Sequence, residues 1–326
     1  MKSSPTSWPG SMSGFRKTEI HARHTKRRCK LWATRGMAII KSVTDARDDF
    51  VRRLTLEQVD RDIFTGQCHA GAPQRAFGGQ VAAQSLVAAG LTVEDPERVV
   101  HSLHGYFLRP GRTADKIVYL VDRPRDGRSF STRRVKAIQY GETIFTMSAS
   151  FAVHDKGPEH QLQMPDAPDP DSLEPYPLDL DEAHTMHDAS SPDRRLLDMR
   201  FVEMDSTTAP VYGRPQRMTW LRARYALPDD QRVQVCALTY FSDLTLVGTA
   251  LAPSGGRAPN ADLMVASIDH AMWFHAPFRA DEWLLFVQNT PVAAGGHGLA
   301  NGAFFTQDGR LVATAAQEVL MRERRS

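Results

Sequence analysis

In the last strand-like run, Leu311, Ala313, Ala315, Gln317, Val319 and Met321 occupy alternate positions, and all but Gln317 are apolar. A period of two predicts a strand with one dry face. A buried amide without hydrogen bonds costs about 1–3 kcal/mol, so Gln317 is expected to be paired. The stretch VASIDHAMWFHAPFRADEWLLF, from Val265 to Phe286, is dense in β-branched and aromatic residues and reads as a strand, a turn around Pro277 and a second strand. Alternation sets Val265, Ser267, Asp269 and Trp273 on one face and Ala266, Ile268, Met272 and Phe274 on the other, which places the Ser267 hydroxyl in a largely buried strand. Within QRVQVCALTYFSDLTLVGTAL, Cys236, Tyr240 and Val247 recur at helical spacing, and Asp243 falls on their stripe. One helix and two strands thus each carry a polar residue on a face predicted to be dry.

The rest of the chain follows the same two periodicities. Residues 45–62 read as a short helix and turn leading into Ile63–Cys68. In the small-residue stretch from Gly71 to Val93, Phe77, Val81, Ser85 and Ala88 share a helical face. Gly78 and Gly79 at its start leave backbone N–H groups unshielded, a place where a carbonyl oxygen or phosphate can bind. Strands are predicted at Val99–Leu108, Lys116–Arg123, Ser129–Gln139 and Thr143–Val153, with hairpin turns at Arg125–Arg128 and Tyr140–Glu142. Residues 155–192, rich in Pro and Asp and without period, read as a crossing linker. Beyond it the pattern returns: strands at Leu197–Met204 and Gln216–Tyr225, a helix capped by Pro228-Asp229-Asp230 and running to about Leu251, and four closing strands.

The two halves can be aligned on their strands. Tyr106-Phe107 with Pro110 answers Trp273-Phe274 with Pro277, and Gly141-Glu142-Thr143-Ile144 answers Gly309-Arg310-Leu311-Val312. A repeat this long means two copies of one fold rather than a solenoid. In that alignment Val100 stands opposite Ser267 and Ala149 opposite Gln317, so the first copy lacks the polar set.

Composition narrows the function classes. No run of 18 apolar residues occurs, so no membrane-spanning helix is expected. Three cysteines, Cys29, Cys68 and Cys236, are an odd number without metal-like spacing, which points to a reducing compartment and away from zinc or disulfides. Residues 1–36 hold nine Lys or Arg against one acid, Glu19, so +8 of the total of +2 resides there and the rest carries −6. A mildly acidic body gives no reason to expect a nucleic-acid partner. The basic arm shares the composition of a transit peptide but lacks an amphipathic apolar face. Translation starting at Met37 is the simpler account, and disorder is expected either way.

RAFGGQ (75–80), VHSLHGYFLRPG (100–111), RDGRSFSTRRVKAIQYGETIF (125–145), SIDHAMWFH (267–275) and TQDGRLVATAAQE (306–318) occur in order, and together they resemble the acyl-CoA thioesterase II family. The resemblance covers about residues 45–323. It implies an α+β double hotdog, with two antiparallel sheets each wrapped around a long central helix. The expected organisation is a basic extension (1–36), a first hotdog domain (37–154), a linker (155–195) and a second hotdog domain carrying the catalytic residues (196–326). The implied activity is hydrolysis of medium- to long-chain acyl-CoA to fatty acid and CoA, in the cytoplasm, with no cofactor or metal. Further pairing into a homo-oligomer is left open. Carried over position by position, the family's water-activating Asp, Thr and Gln fall on Asp243, Ser267 and Gln317. Ser replaces Thr, which keeps the hydroxyl but loses the methyl that restrains its rotamer.

A thioester needs no covalent catalyst: a positioned water, a base and an oxyanion donor suffice. Asp243 is expected to accept the water's proton while Ser267 and Gln317 orient it, with the Gly79 N–H as candidate oxyanion donor. Gly78, Gly79 and Arg109 are expected to meet substrate. Arg128, Arg133 and Arg134 are weaker candidates for the CoA phosphates. His101, His104, His270 and His275 read as core histidines satisfied by backbone, and Asp269 as orienting its strand neighbours. No G-x-S-x-G elbow or G-x-G-x-x-G occurs. The rivals are a hotdog enoyl-CoA hydratase, whose helical Asp–His pair is missing because Gly248 stands five residues after Asp243, and a non-catalytic acyl-CoA binder.

Overall fold

A computed structural model of the chain describes residues 46–68, 75–176, 196–204, 215–254 and 263–323. The basic arm, Met37, Cys29 and part of the predicted linker lie outside the described residues. Everything described belongs to one unit, Asp45–Ser326.

The first half opens with α1 (Ala46–Arg53) and a hairpin of β1 (Glu57–Asp60) and β2 (Ile63–Gly66). Glu57–Asp60 was expected in a helix and turn. Asp62, at φ 61°, instead reverses the chain tightly enough for these residues to pair with β2. The apolar, small-residue run forms α2 (Gly78–Leu91), buried from Gly79 to Ala89. Four strands wrap it: β3 (Val99–Phe107), β4 (Ile117–Asp126), β5 (Phe130–Gln139) and β6 (Glu142–Ala152). The β5–β6 turn follows from its sequence, since Tyr140 and Gly141 both sit at positive φ (51° and 76°), as a two-residue hairpin requires. β4 continues through Asp126, past the expected turn start at Arg125, because an irregularity between Asp122 and Arg125 resets its pairing with β5.

The second half repeats the plan with β7 (Leu197–Val202), β8 (Arg217–Ala223), α3 (Gln231–Ser242), α4 (Leu246–Leu251), β9 (Leu263–Ser267), β10 (Asp269–Phe274), β11 (Leu284–Ala294), β12 (His297–Thr306) and β13 (Leu311–Glu323). Asp230 caps α3 as expected, its carboxylate accepting the Arg232 N–H at 2.9 Å. The helix does not run unbroken to Leu251: it stops at Asp243 and resumes at Leu246. By length and composition Gln231–Ser254 is apolar enough to cross a membrane, but 89% of its apolar window is buried inside the fold, which marks it as a core element.

Each half is the antiparallel sheet around a helix that the resemblance implies, and the two sheets join edge to edge. β3 pairs antiparallel with β10, giving one continuous order of β1-β2-β4-β5-β6-β3-β10-β13-β12-β11-β8-β7, with β9 also on β13. The seam is symmetric under the repeat: Asp269 faces Tyr106 and Trp273 faces Ser102, each pair being the mate of the other in the internal alignment. Inside the seam α2 packs against α3. The described part of the linker is no free tether. Met164, Ala167 and Leu173 pack on Met218, Trp220, Trp283, Leu285 and Phe305, and the Trp220 indole N–H donates to the Pro168 carbonyl at 2.9 Å.

Candidate functional site

β13 behaves as its alternation predicts: Ala313, Ala315, Gln317 and Val319 are buried, Gln317 completely. Its partner strand does not hold one phase. Ser267 faces Val319 and Ala271 faces Ala316, so Ile268, Asp269 and His270 stand against only Gln317 and Glu318. This is a β-bulge. Its ladder is completed by the Glu318 carbonyl, which accepts the Ile268 N–H at 2.9 Å, and by the Asp269 carboxylate, which accepts the Glu318 N–H at 2.7 Å. The expected face of Val265, Ser267, Asp269 and Trp273 is therefore broken. Past the bulge the inward positions are His270 and Met272, both 0% exposed, while Trp273 turns outward. Two polar side chains, Ser267 and His270, consequently flank Gln317.

The third element arrives from α3. Tyr240, one turn before the helix end, is held by Phe50 of α1 through an edge-on ring contact at 5.3 Å. Asp243 follows as the C-cap residue and is 3% exposed. The start of α2 meets this helix end without side chains. A Cβ on Gly78 would lie 2.6 Å from Asp243 Oδ2, and one on Gly79 would collide with the Tyr240 carbonyl. Two glycines here let the helices approach closely enough for backbone of the first half to touch the carboxylate of the second.

Distances then close the cluster. The Ser267 hydroxyl donates to Asp243 Oδ1 at 3.2 Å, and the Gln317 amide donates to Ser267 Oγ at 2.9 Å. The Gln317 amide and the Gly79 N–H also hydrogen-bond the Asp243 carboxylate. Burial pushes the Asp243 carboxyl up to about 6, with the bonds from Ser267, Gly79 and Gln317 pulling the other way. A carboxylate titrating near neutrality and held by three donors is suited to accept a proton from a bound water. Behind Gln317, its Oε1 lies 2.6 Å from His270 Nδ1, and His270 Nε2 lies 2.7 Å from Ser242 Oγ. Burial drives the His270 ring down to about 4.

Asp243, Ser267 and Gln317, remote in sequence, are thus brought together, and Gly78 and Gly79 border them. The Gly79 N–H, expected as an oxyanion donor, also bears on the Asp243 carboxylate, whose pKa it lowers. Arg109 is half exposed and ion-paired with Glu142 at 3.0 Å. Arg133 was a candidate for phosphate but is 0% exposed. It donates to the Thr92 hydroxyl and carbonyl, to the Arg125 and Thr132 carbonyls and to Asp126, tying the end of α2 to the β4–β5 hairpin. Arg128 and Arg134 point outward. The histidines are satisfied by side chains rather than backbone: His101 by Ser150, His275 by Thr314, and His104, exposed, against the Trp273 ring. His270 was underrated by sequence, because simple alternation does not reveal the bulge that turns it inward. Among the described residues no group of three His, Cys, Asp or Glu could hold a metal ion.

Among the described residues the first half has no counterpart of this cluster. Aligning Phe107 with Phe274 and Gly141 with Gly309 puts Leu103 in the place of His270 and Ala149 in that of Gln317. Both are buried, and they face each other across β3 and β6 as His270 and Gln317 do across β10 and β13.

Comparison with known proteins gives the family. Residues 193–320 match the family model described as acyl-CoA thioesterase, and residues 67–152 match the acyl-CoA thioesterase N-terminal domain. The chain is 39% identical to acyl-coenzyme A thioesterase 8 of Rattus norvegicus over 83% of its own length and 88% of that protein. It is 37% identical to acyl-CoA thioesterase 2 of Haemophilus influenzae over 86% of its own length and 99% of the relative. Among solved structures it is similar to the acyl-CoA thioesterase II TesB2 of Mycobacterium marinum, with 47% identity, a TM-score of 0.72, and coverage of 84% of this chain and 98% of that one.

Proposed function

Since the chain belongs to the acyl-CoA thioesterase family and hydrolyses acyl-CoA thioesters, we propose that Asp243, Ser267 and Gln317 hold and activate the attacking water. What carries this reading is the buried, mutually hydrogen-bonded set itself, with a carboxyl raised to about 6 at its centre. Asp243 takes a proton as the water oxygen bonds to the thioester carbon. Ser267 and Gln317 fix the water's position and hold the carboxylate. The tetrahedral intermediate then expels the CoA thiolate, and Asp243 returns the proton to sulfur, leaving a carboxylic acid and free CoA. With the Gly79 N–H engaged by Asp243, the Gly78 N–H at the start of α2 is our candidate for polarising the thioester carbonyl. The substrate is a medium- to long-chain acyl-CoA, whose chain is taken up beside the crossing of α2 and α3. We place the enzyme in the cytoplasm, in keeping with an odd number of cysteines, Cys29, Cys68 and Cys236, without metal-like spacing. We read 37–154 and 196–326 as its two hotdog domains, able to pair further into a homo-oligomer.

Thiol release from a decanoyl- to palmitoyl-CoA series tests this. Asp243→Asn is expected to lower kcat by about 100-fold or more and Gln317→Ala by about tenfold or more, with both proteins still binding acyl-CoA. Equal rates in wild type and both variants would overturn the assignment of the water site.

A further inference from the structure

We propose that His270 is a positioning residue for this reaction: a neutral ring protonated on Nδ1 and held by Ser242 fixes the Gln317 amide so that its nitrogen faces Ser267 and Asp243. The proposal rests on the reading of Asp243 as the base.

With the Gln317 amide set so that its nitrogen faces Ser267 and Asp243, the donor and acceptor inventory fixes the rest. Gln317 Oε1 can only accept, so its 2.6 Å contact with His270 Nδ1 requires a proton on that nitrogen. The ring is fully buried and neutral, with that single proton, so Nε2 is an acceptor. Ser242 Oγ, at 2.7 Å, must then donate to it, rather than to the Thr239 carbonyl at 2.9 Å. The bonds run in one direction: Ser242 hydroxyl to His270, His270 to Gln317, Gln317 to Ser267, and Ser267 to Asp243. The chain begins and ends on adjacent residues at the close of α3.

Folding alone does not ask for this arrangement. The first half places Leu103 and Ala149 at the same two positions and buries both. The lock matters when Asp243 carries the proton taken from water. A protonated carboxyl can donate, and a flipped Gln317 would offer it Oε1 and turn its N–H groups away from the reacting water. A donor from His270 holds Oε1 in place, so the flip would set N–H against N–H unless the ring also moved its proton to Nε2 and Ser242 turned its hydroxyl to the Thr239 carbonyl.

Three variants and one spectrum test this. His270→Leu, the residue of the first half, is expected to keep KM and lose kcat about 10- to 100-fold, the scale of losing a partner that orients a reacting side chain. His270→Asn, which restores an N–H donor, is expected to recover part of the loss. The 15N spectrum of His270 in wild type is expected to show the neutral ring with the proton on Nδ1, and Ser242→Ala to shift it towards Nε2. A folded His270→Leu with wild-type kcat, or a wild-type ring protonated on Nε2, would overturn the proposal. If His270→Leu does not fold, the wild-type spectrum decides. Because that spectrum needs no substrate, its outcome is independent of whether wild type releases thiol, which tests the reading beneath.

Discussion

Asp243 combines a functional asset with a cost to folding. As the proposed base its carboxyl must be ionised to accept a proton, so kcat/KM is expected to rise with pH through about 6 and to level off above it. The stability effect has the opposite sign. An acid whose folded pKa lies above its ordinary value, here about 6 against 3.8, binds more protons folded than unfolded between those values. Stability therefore falls as pH climbs through that window, by about 3 kcal/mol once both states are ionised. Asp243→Asn removes this dependence, so relative to wild type it is expected to gain stability between pH 4.5 and 7.5, read from denaturation midpoints, while losing activity. At this scale the site was legible because Asp243, Ser267 and Gln317 each interrupt an apolar face. His270 was hidden, since its inward turn depends on a bulge whose hydrogen bonds come from Glu318 and Asp269, on two different strands.

At the scale of elements, the helices and strands follow their periodicities closely, and the departures occur where tertiary contacts decide. The break after Ser242 lies where α3 meets α2, and the described part of the linker is held by apolar residues packed on the second sheet and by hydrogen bonds such as that of Trp220 to Pro168. Neither contact leaves a local trace. Arg133 makes the same point about charge: a strand-face arginine reads as solvated or substrate-facing, yet here it closes the end of α2. Arg133→Met is expected to cost about 3 kcal/mol, measured by chemical denaturation, because it strands buried carbonyl and hydroxyl acceptors. In protein that remains folded, KM for acyl-CoA is expected to stay unchanged, in contrast to a phosphate contact.

At the scale of the molecule, the internal repeat announces two copies, and the aligned strands already show the first to be empty of the polar set. Their fusion into a single sheet through β3 and β10 is not written in either copy, because it depends on two edges meeting. On the proposed reading, one water site per chain is expected. Titrating Asp243→Asn with a non-turning acyl-CoA in a calorimeter is expected to give one equivalent bound productively per chain, and the same substitution to leave no more than the residual rate given above, with no residue from the first half taking over.

The bare backbone of Gly78 beside the Asp243 carboxylate gives the inert copy a stake in the chemistry. On the proposed reading, the first half still supplies one wall beside the base, made at Gly78 of main chain only. Any bulk added to that wall intrudes on the base from outside its own domain, so damage to the copy that does no chemistry would register first as lost turnover.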